Sequence, residues 1–255
     1  MTSTEPAGGF LYREPGAADE FRLFCFHHAG GGASAFRGWR ELLAPAVSVY
    51  PVQLAGREGR VSEPRQRDIR TLVAELDTWL GPYVDRPFAF YGHSMGALIA
   101  YRLTRALVAR GGPRPVSLLV GAYPGPHQRA PLEQMDGLSD AHMLDMLIDA
   151  GGLSETVRGF PKWTTAMVAL LRDDLALCRS HQPDDCARLP VPIHVFTGDA
   201  DPMMSAADAE QWAGHSSIGY RSHVIPGGHF FNRESRPLLI SAITAILFGQ
   251  PITPS

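Results

Sequence analysis

Several things are missing from this sequence, and each absence removes a class of function. No excess of either charge sign exists: 23 Lys and Arg stand against 26 Asp and Glu, for a formal net charge of −3. That balance argues against nonspecific nucleic-acid binding. Only three cysteines occur, Cys25, Cys178 and Cys186, so no paired disulfide framework is written here. Cys25 sits in an apolar run and reads as a small hydrophobe rather than a nucleophile. No apolar run is long enough to cross a membrane, and the first twenty residues lack the basic start and continuous apolar core of a signal peptide. The expected location is the cytoplasm. Neither G-x-G-x-x-G nor G-x-x-x-x-G-K-[ST] is present, which argues against a nucleotide cofactor. Adjacent His27 and His28 would face opposite sides of a strand, with no partner spaced to complete a metal site. No cofactor and no metal are expected.

What is present is a serine between glycines. Pro87-Phe88-Ala89-Phe90-Tyr91 reads as a short buried strand, Gly92-His93-Ser94-Met95-Gly96 as a sharp turn, and Ala97-Leu98-Ile99-Ala100-Tyr101 as the start of a helix. Such a strand-to-helix turn pushes Ser94 Oγ out at the carboxyl end of a sheet, and Gly92 and Gly96 leave room for the crowding. A serine hydroxyl needs a base, an orienting acid and an oxyanion hole before it becomes a nucleophile.

In the α/β-hydrolase arrangement those partners follow in the order serine, acid, histidine. Val191 to Thr197 reads as a buried strand ending at Gly198, and Asp199-Ala200-Asp201-Pro202 follows in a loop. Asp199 suits an ordinary turn. Asp201 lies farther out, and Ser205 supplies its own helix cap, which leaves Asp201 free to act as the acid. Of the later histidines, His215 ends a helical segment and His223 lies in the alternating run Tyr220 to Ile225. His229 follows the turn Pro226-Gly227-Gly228 and is the candidate base. One oxyanion N–H is expected from Met95. The second is expected from the glycine-rich loop after Leu23-Phe24-Cys25-Phe26, from Ala29 first and Gly30 next.

With these pieces assembled, the chain resembles the type II thioesterases of modular polyketide and nonribosomal peptide synthases. The likeness runs through Phe26-His27-His28-Ala29-Gly30-Gly31, Val52-Gln53-Leu54-Ala55-Gly56-Arg57-Glu58, the serine turn, Thr197-Gly198-Asp199-Ala200-Asp201-Pro202 and Gly227-Gly228-His229-Phe230-Phe231. It implies Ser94 as nucleophile, Asp201 as acid and His229 as base. It also implies acyl thioesters on the phosphopantetheine arm of an acyl or peptidyl carrier protein as substrates, and an editing role that clears aberrant acyl groups. The chain departs from the family at His27, where proline is usual, and that predicts a looser oxyanion loop. A carboxylesterase or lipase would use the same three residues on oxygen esters, and a noncatalytic hydrolase-fold binding protein would use none of them.

The 255 residues are compatible with one α/β-hydrolase domain, a mostly parallel sheet flanked by helices, and a monomer is the expected state. The segment from about 124 to 183 departs from the strand–helix alternation and reads as a helical lid. One helix is expected from Leu138-Ser139-Asp140 onward and another from Trp163 to Cys178. Arg57, Arg60, Arg65, Arg67 and Arg70 read as a solvated cluster balanced by Glu58, Glu63 and Asp68, with carrier docking there the weaker alternative.

Overall fold

The computed structural model describes residues 9–127, 137–183 and 187–249. Cys186 and part of the 124–183 segment lie outside them. Six strands form one sheet in which every pairing is parallel: β1 (Arg22–Phe26), β2 (Ser48–Val52), β3 (Phe88–His93), β4 (Leu118–Gly121), β5 (Ile193–Gly198) and β6 (Tyr220–Ile225), in the order β2-β1-β3-β4-β5-β6. The expected mostly parallel sheet is therefore wholly parallel among the described residues. Four of these strands are buried along their whole length, as parallel strands covered on both faces must be.

Alternation along each strand splits the core in two. Phe24, Phe26, Phe88, Phe90, Leu118, Val120, Ile193 and Val195 belong to one apolar cluster, which also holds residues of α2 (Ile69–Leu80), α3 (Met95–Ala109) and α5 (Pro161–Arg179). Leu23, Cys25, Ala89, Tyr91, Leu119 and Phe196 point the other way, toward α1 (Trp39–Leu43) and α8 (Arg236–Phe248). The remaining helices are α4 (Asp140–Asp149), α6 (Ala206–Glu210) and α7 (Phe231–Glu234).

The strand order reverses at β1, which lies between β2 and β3. Chains leaving the carboxyl ends of β1 and β3 are led to opposite faces, and the crevice between them is where open α/β sheets hold their ligands. The glycine-rich loop follows β1 and the serine turn follows β3, so topology alone brings them together.

Candidate active site

Ser94 has φ 53° and ψ −121°, one of three non-glycine residues with positive φ among those described. Its flanking glycines are required by contact. A Cβ on Gly92 would lie 2.1 Å from Gly96 O, and one on Gly96 would lie 2.0 Å from Phe26 O. The strand, turn and helix are thus wedged against each other and against the end of β1, and the serine absorbs the backbone distortion. Ser94 N–H donates to Gly121 O at 2.7 Å, which ties the turn to β4.

His229 stands behind β6 in the expected loop, 4% exposed, with Phe230 edge-on at 5.3 Å. Its Nδ1 lies 3.0 Å from Asp201 Oδ2 and 3.1 Å from Oδ1. A carboxylate only accepts, so Nδ1 carries the proton and Nε2 presents a lone pair. The Asp201 side chain is fully buried, and its Oδ1 also accepts Met203 N–H at 2.8 Å. Asp199 takes the turn role: its Oδ1 accepts Gly227 N–H at 2.8 Å. Ser205 caps α6 in a capping box with Asp208, as expected. Ser94, His229, His28 and Ala29 line one small cavity, together with Met146, Leu147, Ala150, Met203 and Phe230.

His93 holds the base loop to the serine strand. Its Nε2 is 2.8 Å from His229 O, a group that can only accept, so Nε2 donates. Nδ1 must then accept, and Tyr91 OH donates to it at 3.0 Å. Burial pushes the His93 pKa well below its ordinary value, with the charges of His229 and His28 adding to the effect. The neutral ring this pattern needs is the one its surroundings favour.

The loop after β1, expected to be looser for want of its proline, is held by hydrogen bonds along its length. Gly31 N–H donates to His28 O, Ala33 N–H to Gln53 Oε1 at 2.9 Å, and Ser34 Oγ to Glu58 Oε1 at 2.5 Å. His27 is buried, and its Nδ1–H donates to His28 O at 2.9 Å. Burial, with the nearby Arg57 charge second, lowers the His27 pKa to about 3, and burial lowers that of His28 to about 3. Gly30 N–H is committed to Asp174 Oδ2 at 2.7 Å, which removes Gly30 as the alternative oxyanion donor. Ala29 N–H has no acceptor among the described residues. Met95 opens α3, where first-turn N–H groups have no intrahelical acceptor.

Arg57 corrects the solvated-cluster expectation. It is 5% exposed and makes a two-pronged ion pair with Asp174, at 2.7 and 2.8 Å. Asp174 carries no local sequence signal, because it lies 117 residues from its partner, on α5. Arg60 pairs with Glu63, and Arg65 and Arg67 both reach Asp173 on α5. His215 and His223, the rejected bases, each meet another imidazole: His127 at 3.0 Å and His194 at 2.9 Å.

The thioesterase domain family matches residues 21–247. The chain belongs to the thioesterase family. Among curated relatives, the linear gramicidin protein LgrE of Brevibacillus parabrevis, named a dehydrogenase, is 32% identical over 256 residues, covering 96% of this chain and 95% of the relative. Among solved structures, RedJ, a thioesterase of the prodiginine pathway in Streptomyces coelicolor, has a TM-score of 0.82 at 32% identity, covering 91% of this chain and 89% of that one. YbtT, a type II thioesterase of the yersiniabactin NRPS/PKS pathway, has a TM-score of 0.80 at 27% identity, covering 91% and 94%. This thioesterase is accordingly of the type II group that serves polyketide and nonribosomal peptide pathways, as the sequence resemblance implies.

Proposed function

We propose that this thioesterase hydrolyses acyl groups from the phosphopantetheine arm of acyl or peptidyl carrier proteins, using Ser94 as nucleophile, His229 as base and Asp201 as acid. The observation that carries the reading is a serine with left-handed φ sharing a cavity with a histidine whose Nδ1 is gripped by both oxygens of a buried carboxylate. His229 Nε2 takes the Ser94 proton as Oγ bonds to the thioester carbonyl carbon. Met95 and Ala29 N–H groups hold the developing oxyanion. The C–S bond then breaks, and the proton on His229 passes to the departing sulfur. Water deprotonated by His229 attacks the acyl-enzyme, and the free acid leaves as Ser94 regains its proton.

Editing of stalled carriers in the cytoplasm, by a monomer of one hydrolase domain, fits the likeness to type II enzymes. The segment from about 124 to 183 would act as the lid, with α4 over the serine. Hydride transfer, which the name of LgrE raises, finds no dinucleotide fingerprint in the sequence. The oxygen-ester reading shares all three residues, so the substrate series decides between them. Acetyl, propionyl and butyryl groups on a carrier protein should be cleaved with higher kcat/KM than on a short thiol, since docking offsets part of the entropy of threading a flexible arm. The three chain lengths should differ little, because an apolar pocket separates one methylene by only about 1–3 kcal/mol. A faster oxygen ester with no carrier advantage would return the protein to the carboxylesterases.

A further inference from the structure

We infer that Arg57 and Asp174 are positioning residues that hold the oxyanion loop in its working shape. The inference rests on the serine-hydrolase reading above and adds to it two residues that make no contact with the reacting atoms.

The loop carries three consecutive glycines, Gly30 to Gly32, the most conformationally free backbone a chain can offer. Gly30 adopts φ +75°, and nothing in its own covalent structure prefers that over the mirror region. The shape must come from outside the loop, and the ion pair supplies it at two of the loop's peptides. Asp174 Oδ2 accepts Gly30 N–H at 2.7 Å, which fixes the peptide joining Ala29 to Gly30. Arg57 Nη1 donates to Gly31 O at 3.1 Å, which fixes the next but one carbonyl. The same Nη1 donates to Asp174 Oδ2 at 2.8 Å, and Nη2 donates to Oδ1 at 2.7 Å, so the two anchors form one rigid unit.

That unit is itself immobile. Asp174 is 1% exposed on α5, whose Val168, Leu171, Leu175 and Cys178 are buried in the same core as the sheet. Arg57 is carried by a segment that Gln53 also fixes, through Gln53 Nε2 donating to Arg57 O at 3.3 Å. The His28–Ala29 peptide, whose N–H is the proposed oxyanion donor, is therefore held from both sides, by Gly31 N–H donating to His28 O at 3.0 Å and by the anchored Ala29–Gly30 peptide that follows it.

Electrostatics explain why the acceptor is a pair rather than a lone acid. A buried carboxylate one peptide from the oxyanion site would oppose the charge that develops there. Arg57, bonded through both nitrogens, neutralises it, while Oδ2, which accepts Arg57 Nη1–H, keeps a second lone pair for Gly30 N–H. Stability does not explain the pair, since buried ion pairs can often be replaced by apolar residues of similar size without loss. Apolar residues, however, cannot accept an N–H.

The test compares two double variants that delete the same charges. Arg57→Met with Asp174→Leu removes the acceptor, whereas Arg57→Met with Asp174→Asn retains one. Turnover of an acyl-carrier thioester, phosphonylation of Ser94 by a fluorophosphonate and thermal melting are measured on all three proteins. The Leu variant should lose about tenfold or more in kcat with KM within about twofold, a smaller loss than the 10²–10³ that follows removal of an oxyanion donor itself. The Asn variant should recover most of that loss. Wild-type kcat in the Leu variant, or equal kcat in the two variants, would overturn the assignment. If the Leu variant does not fold, Arg57→Met with Asp174→Ala, which likewise lacks an acceptor, takes its place against the Asn variant, and a change confined to KM counts against the assignment. Absence of Ser94 labelling in the wild-type protein would instead reject the serine reading, whatever the variants do.

Discussion

Asp199 and Asp201 share one loop and differ in what they hold. Asp199 braces the turn that carries His229, whereas Asp201 holds the His229 ring. Asp201→Asn should therefore lower kcat by about 10⁴, because an amide can donate to Nδ1 and so fix the wrong tautomer. Asp199→Asn should lower it less than about tenfold, since the amide oxygen still accepts Gly227 N–H. Ser94→Ala and His229→Ala should each approach a millionfold loss. Steady-state turnover with one carrier substrate orders the four, and greater damage from Asp199→Asn would reverse the acid assignment. Ser94, Asp201 and His229 were legible in the sequence because each sits in a short run of glycine, proline and strand residues that fixes its place without knowledge of distant contacts. Arg57 and Asp174 were not. Their roles exist only once two residues 117 positions apart have met, and a local count of charges puts a buried arginine among less buried neighbours.

Among the elements, α4 and α5 read alike in sequence and differ in the fold. α4 begins where expected, with Ser139 accepting His142 N–H as its N-cap, whereas α5 begins at Pro161, ahead of the expected Trp163, because proline suits the first turn. Apolar spacing foretold two amphipathic helices but could not tell which face would meet the core. Seven residues of α5 are buried, against only Met143 and Leu144 of α4, and it is α4 that sends Met146 and Leu147 into the cavity of Ser94. Helices with so little buried surface open readily. Hydrogen exchange should be faster in α4 than in either α5 or β3, and α4 protected as well as β3 would end the account of a moving roof. Faster exchange in α4 with α5 protected like β3 would narrow the proposed 124–183 lid to its first helix.

Across the whole molecule, the parallel sheet flanked by helices was legible as an α/β pattern, since buried parallel strands leave continuous apolar runs, whereas the strand order was not. Burial of the histidines was less so, and it sets how the fold responds to acid. Burial holds His27 near pKa 3 in the folded chain, below its ordinary 6.5. The unfolded state then binds more protons below pH 6.5, so stability is complete above that value and declines as pH falls toward 3. At pH 5 this one residue should forfeit about 2 kcal/mol relative to pH 7. His27→Asn, which keeps a donor for His28 O without titrating, should lose less on the same change. Urea unfolding of both proteins at pH 7 and pH 5 makes the comparison, and equal losses would show that His27 does not carry the effect.

The backbone of Ser94 has one more consequence, for the trade between durability and turnover. Its φ of 53° and ψ of −121° are a conformation that a side-chain-bearing residue resists and glycine accepts. The inactive Ser94→Gly protein should then melt at a higher temperature than the active one, by the few degrees that about 1 kcal/mol produces in a domain of this size. A lower melting point would mean that contacts of the hydroxyl outweigh the relief. If the expected result holds, the proposed nucleophile is the residue the fold would discard first, and the acyl-enzyme proposed above is the reason to keep it there.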